Sequence, residues 1–307
     1  MTAPRLTRTY LAVPAHRSRL VQSAVASAAD AVFLDLEDAV PFTEKAAALE
    51  AAVEAITKFD WGLKTLAVRL NTIDSVTLVP EIQRLSALPR LDAVILPKAE
   101  RVGDVIAIAG QLTANRGTRE VPVEIELLIE TALGMVNVDA LAAADPLVTA
   151  LHFGVGDFAA SIGARSAEIG TSPAGYRQVG DAAAGYPETN LDLFAYPMMR
   201  ILVAARSMGL RAIDGPCGNF RDLRTTEASA GKAAAMGFDG KQVIHPNQIE
   251  GTRSAFVPSE EEIAYAKRVL AALEDAEREG KGAVTVDGKM VDLANTRMLR
   301  KILRSAV

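Results

Sequence analysis

Short runs of β-branched and other apolar residues alternate along the chain with longer Ala- and Leu-rich stretches of helical spacing. The strand-like runs are Thr9–Val13, Ala31–Leu36, Thr65–Leu70, Leu91–Leu96, Val123–Ile129, Ala150–Val155, Leu210–Asp214 and Gly240–Ile244. Between them lie helical patterns at Arg19–Ala29, Thr43–Thr57, Leu78–Ala87, Val102–Thr113, Val136–Ala144, Pro197–Met208 and Thr225–Met236. Eight such alternations within about 250 residues predict an α/β chain folded as a closed (β/α)8 barrel. The competing open, doubly wound sheet carries a GxGxxG turn after its first strand. Here that strand runs into Val13-Pro14-Ala15-His16-Arg17, with no glycine.

Two stretches fall outside the repeat. Gly163 to Tyr196 is rich in Gly, Pro, Ser and Thr, and a connection of that length reads as a functional loop. After Pro258, Ser259 and Glu262 form a capping-box pattern that opens a helix running to about Glu279. AVTVDGKMV then reads as a hairpin on an Asp287-Gly288 turn, and a last helix starts near Ala294. The expected division is a barrel over 1–250 and an appendage over 251–307 that serves as a lid and oligomer contact.

Composition narrows the function. Of 307 residues half are hydrophobic, and 33 Lys+Arg against 38 Asp+Glu give a net charge of −5. That supplies a large core and argues against nucleic acid as a partner. One cysteine, Cys217, excludes an intramolecular disulfide and a cysteine-rich zinc site. The three histidines, His16, His152 and His245, lie far apart, so no HExxH pattern exists. No apolar run approaches the ~18 residues of a membrane helix, and the N-terminus lacks a long apolar leader. The expectation is a soluble, cytoplasmic protein.

In a barrel of this kind functional residues sit where strands end at their C-terminal side. Those ends are consistently polar: Arg17 after Pro14, Asp35-Leu36-Glu37-Asp38, Arg69-Leu70-Asn71, Lys98, Glu130, Gly156-Asp157, Asp214 and His245. Glu130 and Asp157 end adjacent strands with no soft ligand nearby. Two carboxylates plus water suit a hard cation, and Mg²⁺ fits best. The alternative is a buried ion-pair layer with Lys98 or Arg69. Arg69 suits stabilisation of an oxyanion, or else pairs with Asp35 or Glu37. The Asp35-Glu37-Asp38 cluster reads as support behind the metal ligands, and Lys98 as its counter-ion, since neighbouring acids raise rather than depress a lysine pKa. His245 reads equally as a ligand contact and as a structural strand-end histidine. His152 reads as core, His16 as solvated surface or a phosphate contact, and Cys217 as a packed thiol.

Together these segments resemble the citrate lyase β-subunit/HpcH–HpaI aldolase superfamily, most closely its malyl-CoA lyase branch. The resemblance runs in order through FLDLEDAV (33–40), DWGLKTLAVRLN (60–71), LDAVILPK (91–98) and IELLIETALGMVNVDAL (125–141). It continues through FGVGDFAASIGARS (153–166), IDGPCGNFRD (213–222), GFDGKQVIHPNQI (237–249), FVPSEEE (256–262) and GAVTVDGKMVDLA (282–294). It implies a (β/α)8 barrel with a C-terminal lid, Mg²⁺ or Mn²⁺, a coenzyme A thioester, and a homotrimer or hexamer in which one subunit's lid covers its neighbour's site. It implies Glu130 and Asp157 as metal ligands and Arg69 as catalytic and substrate-binding. Asp292 becomes the lid acid/base, although from the sequence alone it also fits an N-cap of the last helix. Arg17, Gly156, Ile244 and His245 become substrate or CoA contacts. The chain departs from the pattern at Ala12, Ala15 and Ser23, where the family tends to place an aromatic, a glycine and a lysine.

The activity this implies is cleavage of a 3-hydroxy-3-carboxy acyl-CoA, such as malyl-CoA or β-methylmalyl-CoA, to glyoxylate and a shorter acyl-CoA. Citramalyl-CoA or a citryl thioester is an alternative substrate. Rival activities are hydrolysis of the malyl-CoA thioester, a carrier-dependent subunit, and an aldolase that uses pyruvate without CoA.

Overall fold

The computed structural model describes residues 6–306, apart from Ala167 and Ala182. The chain divides after Thr252 into two units.

In the first unit eight parallel strands close into a barrel. They are β1 (Thr9–Pro14), β2 (Ala31–Asp35), β3 (Thr65–Arg69), β4 (Ala93–Leu96), β5 (Glu124–Ile129), β6 (Val148–Phe153), and then β9 (Arg211–Asp214) and β10 (Gly240–Val243). Between β6 and β9 the chain forms a separate exposed hairpin of two-residue strands, β7 (Arg177–Gln178) and β8 (Thr189–Asn190). Closure comes from β1 pairing with β10, Tyr10 opposite Gln242. Sequences such as AVFLD and AVIL are buried along their whole length because helices cover the outer face while side chains fill the interior.

All eight barrel strands fall where the hydrophobic pattern puts them. Two local details differ. Strand β6 stops at Phe153 rather than Val155, and a short helix, Val155–Ser161, follows at once. Asp157 therefore lies in the first turn of a helix and not at a strand end. The patterned segment Val136–Ala144 is two short helices, Ala132–Val136 and Val138–Ala142. Thr131 caps the first by accepting a hydrogen bond from Gly134 N at 2.9 Å.

Low in the barrel lies a network that strand-end reasoning does not reveal. Glu126 is fully buried. Its Oε2 accepts from Tyr10 Oη and pairs with His152 Nε2, both at 2.8 Å, and its Oε1 accepts from Arg211 Nη2 at 2.8 Å. Gln242 Nε2 meets His152 Nδ1 at 3.0 Å, which fixes the imidazole ring. Burial alone would raise the Glu126 pKa. The Arg211 charge and the His152 and Tyr10 hydrogen bonds prevail and hold it at about 2.

The second unit is the helix Glu260–Arg278, the antiparallel ribbon of β11 (Ala283–Val286) and β12 (Lys289–Asp292), and the helix Thr296–Ser305. Ser259 and Glu262 make the expected capping box. Asp287 and Gly288 both have positive φ, as the two-residue turn of a hairpin requires. Ala266, Val269, Leu273, Val291 and Leu299 form this unit's own core.

Replacing Glu126 by Gln keeps its shape but leaves Arg211 without its buried counter-charge. Urea unfolding of Glu126→Gln should show a loss of about 3–5 kcal/mol, the scale for breaking a buried ion pair.

Candidate active site

At the C-terminal mouth of the barrel one guanidinium organises several carboxylates. Asp35 and Arg69 end β2 and β3 as register partners, so the sheet itself sets them side by side. Arg69 donates from Nε and Nη2 to the two oxygens of Asp35, both at 2.7 Å, and its Nη1 lies 3.1 Å from Glu37 Oε2. Its guanidinium carbon sits 5.9 Å over the Phe33 ring. Burial opposes the charge on Arg69, but Asp35, Glu37 and Glu130 outweigh it and raise its pKa. Asp35 also accepts from the backbone N–H groups of Glu37 and Ala39. Against the effect of its burial, the Arg69 bonds keep its pKa low.

Lys98 completes this layer. Its ammonium bonds to Glu37 Oε1 and lies 3.4 Å from Asp38. Burial acts to lower the Lys98 pKa, yet Glu37, Glu130 and Asp38 raise it above the ordinary value, so it is a charged counter-ion. Its backbone has φ +48, a sparsely populated region for a non-glycine residue. That conformation presents the Lys98 N–H to Glu130 Oε1 at 2.8 Å.

The ion-pair layer considered from the sequence therefore exists, but on Asp35, Glu37 and Asp38. Among the described residues neither Glu130 nor Asp157 has a cation within ion-pair distance. Glu130 is 1% exposed. Burial, then the charges of Asp157 and Glu37, raise its pKa to about 8 against the opposing pull of Arg69. Gly154 packs so closely that a Cβ there would fall 2.3 Å from the Glu130 Cβ and 2.4 Å from its Oε2. Two neighbouring carboxylates, one deeply buried, without a compensating cation, fit a divalent ion on chemical grounds. Among the described residues no group of three or more His, Cys, Asp or Glu is arranged to hold a metal ion. An ion here would thus take two protein carboxylates and leave its remaining positions to water or substrate, the usual Mg²⁺ arrangement.

The other predicted residues are placed as follows. Arg17 is exposed just ahead of the helix Ser18–Ala26 and joins no charge cluster among the described residues. The His16 side chain is buried rather than solvated, 3.7 Å from Glu44. Gly156 lies beside Ile169. Ile244 is half-exposed, and its N–H donates to Gln248 Oε1. His245 has a structural place: Nδ1 accepts from Asn247 N, and the ring stacks on Phe220 at 4.8 Å. Asp292, in the second unit, accepts at Oδ1 from Ala294 N and caps the 3-10 turn Leu293–Asn295, whereas the N-cap of the last helix itself is Asn295.

Sequence reasoning missed two lysines that fix other polar groups in place. Lys45 donates to the carbonyls of Leu36 and Glu37 and to Asn71 Oδ1, and so fixes the loop that carries the acids. Lys241 is buried inside β10 and bonds to Asp214 at 2.7 Å. Lys45 opens a helix and carries no strand-end signal. A lysine inside the apolar run of Lys241 is such a signal, because a charge there demands a partner.

A model of the HpcH/HpaI aldolase/citrate lyase family matches residues 8–246. The chain belongs to that family. Among relatives of this HpcH/HpaI aldolase/citrate lyase chain is the L-malyl-CoA/β-methylmalyl-CoA lyase of Cereibacter sphaeroides. It is 36% identical over 306 residues, which cover 98% of this chain and 95% of the relative. A (3S)-malyl-CoA thioesterase of the same species is 34% identical, covering 97% and 94%. The CitE protein of Mycobacterium tuberculosis, solved with magnesium, acetoacetate and coenzyme A, matches over 98% of both chains at a TM-score of 0.75 and 32% identity. Among the described residues of this family member no helix is long and apolar enough to cross a membrane.

An acid whose pKa is higher folded than unfolded stabilises the fold below its unfolded value and loses that contribution as pH rises through the folded one. For Glu130 the window runs from about 4.5 to about 8. In metal-free protein, the stability of wild type relative to Glu130→Gln should fall across that interval and level off beyond it. Denaturant titrations at stepped pH would measure this.

Proposed function

We propose that the protein is a Mg²⁺-dependent carbon–carbon lyase that reversibly cleaves malyl-CoA or β-methylmalyl-CoA to glyoxylate and acetyl-CoA or propionyl-CoA. The observation that carries the reading is the uncompensated Glu130–Asp157 pair beside a guanidinium fixed in place by Asp35 and Glu37. The malyl-CoA lyase relatives and the magnesium and coenzyme A of the solved neighbour support it.

In this reading Glu130 and Asp157 hold the ion, with Mn²⁺ able to replace Mg²⁺. When bound, the ion supplies Lewis-acid polarisation of the substrate's hydroxyl and carboxylate oxygens. The chain's own residues supply the rest. Arg69 has five N–H donors; Asp35 accepts from two of them, and Glu37 lies 3.1 Å from Nη1 as an ion-pair partner. N–H groups on Nη1 and Nη2 remain for a thioester oxygen, where negative charge develops as the carbon–carbon bond breaks. The guanidinium does not have to reorient as that charge appears, because its carboxylate partners already hold its plane. Lys98, kept charged by its acidic neighbours, balances Glu37 and stays out of the proton transfers.

Asp292 moves the proton at carbon. In cleavage the substrate hydroxyl gives up its proton to water as it becomes the glyoxylate carbonyl, and Asp292, entering protonated, delivers its own proton to the enolate carbon; in synthesis both transfers run in reverse. Capping occupies Oδ1, so Oδ2 is the oxygen for this transfer. The second unit acts as a lid over the site of a neighbouring subunit in a homotrimer or hexamer, which keeps the enolate from bulk water. Arg17, Gly156, Ile244 and His245 are read as contacts to the CoA thioester. The enzyme works in the cytoplasm on a small-molecule substrate.

Malyl-CoA and Mg²⁺ should yield glyoxylate and acetyl-CoA from the purified chain. Free malate with intact coenzyme A would instead identify a thioesterase. Asp157→Asn should lower turnover by about 10²–10³-fold, the scale of losing one strong electrostatic stabiliser. Calorimetry on the folded variant should show weakened Mg²⁺ binding, and unchanged affinity and turnover would remove Asp157 from the ion's site.

The shared-site reading has its own test. Asp292→Ala and Glu130→Ala should each be inactive alone. After subunit exchange, sites that combine an intact barrel with an intact lid should restore part of the activity. Proven exchange without recovery would confine Asp292 to its own chain or to its capping role.

A further inference from the structure

The second unit elsewhere pairs cations with carboxylates: Arg268 with Asp287 at 3.0 Å, Lys281 with Glu279 at 2.6 Å, and Arg278 with Asp275. Its closing helix is built differently. Thr296–Ser305 reads TRMLRKILRS, with four cations and no acid, in a chain whose net charge is −5. The cations fall at 297, 300, 301 and 304, the spacing that gathers side chains into one stripe along a helix. The opposite stripe is settled by its contacts, since Leu299, Ile302 and Leu303 pack with Val291 and Leu273 in the unit's core. The cationic stripe therefore faces away from that core. Arg297, Arg300 and Arg304 are exposed, and among the described residues none of the three has an ion-pair partner.

Helix stability does not account for this arrangement. A cation in the last turn, such as Arg304, suits the helix dipole, but Arg297 stands in the first turn, where a positive charge opposes it. The first turn contains no acidic residue to offset it. Arginine rather than lysine at three of the four positions favours planar, two-pronged binding of oxyanions. Successive arginines of the stripe lie about one helical turn, ~5.4 Å, apart, so neighbouring side chains can grip different phosphates of one molecule. The stripe begins only five residues after Asp292, the carboxylate read as serving the reacting end of the substrate.

We propose that the cationic face of Thr296–Ser305 binds the phosphate groups at the nucleotide end of a coenzyme A thioester. The proposal rests on the lyase reading for its ligand. Within that reading, one short segment handles both ends of an extended substrate. Asp292 acts at the carbon beside the thioester, and the arginine stripe takes the polyanionic end.

The test compares wild type, Arg300→Gln/Arg304→Gln and the conservative Arg300→Lys/Arg304→Lys on two substrates. One is malyl-CoA, and the other is malyl-pantetheine, which has the same reacting end but no nucleotide. The Gln variant should raise KM for malyl-CoA about tenfold, the scale of one lost charge-assisted hydrogen bond. Its kcat, and its KM for malyl-pantetheine, should stay near wild type, and the Lys variant should recover part of the loss. An equal change on both substrates, or no change on either, would overturn the proposal. If wild type cleaves neither thioester, the lyase reading falls, and titration with adenosine 3′,5′-bisphosphate decides the phosphate face separately. About tenfold weaker binding by the Gln variant supports it, and equal binding by both proteins overturns it.

Discussion

The fork between Arg69 and Asp35 sets the charge balance of the barrel mouth. Sheet register makes the two residues neighbours, and their two 2.7 Å bonds join the ends of β2 and β3. With Glu37 on its third nitrogen, Arg69 is committed to one side of the mouth, and Lys98 is drawn to the same side. What remains opposite is a pair of carboxyl groups with no cation in ion-pair contact. Glu130, buried beside Asp157, holds its proton up to about pH 8 unless another cation arrives. The affinity of the mouth for a divalent ion is thus a product of how its own cations are partitioned.

The barrel contains a second charge system with the opposite character. Around Glu126 the hydrogen bonds of Tyr10, His152 and Arg211 satisfy the carboxylate from several directions, and the group stays ionised at all ordinary pH. A fully satisfied buried network stiffens what surrounds it. Tyr10 also packs against Phe33, and Phe33 lies beneath Arg69. The lower layer is therefore a rigid floor for the upper one, in which unsatisfied charge leaves room for chemistry. Departures from local satisfaction of this kind concentrate where a protein acts on something else.

Much of this was legible in the sequence because barrel strands are buried on both faces and end abruptly. AVFLD and TLAVR advertise both a strand and the charged residue at its end. The pairing Asp35–Arg69 was among the readings the sequence allowed, and so was a capping role for Asp292, although it falls on the 3-10 turn ahead of the last helix and not on the helix itself. What the sequence could not decide was which acids would hold the cations, since that depends on the closeness of backbones. The positive φ of Lys98 and the tight approach of Gly154 to Glu130 leave no periodic trace. Asp157 was misplaced because Val155 and Phe158 look alike in a strand and in a buried helical turn. His16 was misjudged as solvated because a polar residue after a strand says nothing about what folds over it.

The ribbon of the second unit has one further property. Ala283 pairs with Asp292, Val284 with Val291 and Thr285 with Met290, so residues alternate between its two faces. Val284 and Val291 turn toward the unit's core, while Asp292 shares the other face with Met290 and Thr285. The two-residue turn at Asp287-Gly288 sets that parity. A single inserted residue that slipped the pairing by one would rotate Asp292 to the core side and a valine outward. The length of a surface turn, usually the most tolerant quantity in a fold, here decides which way a carboxylate faces, and an insertion is harmless only if the turn absorbs it without shifting the pairing.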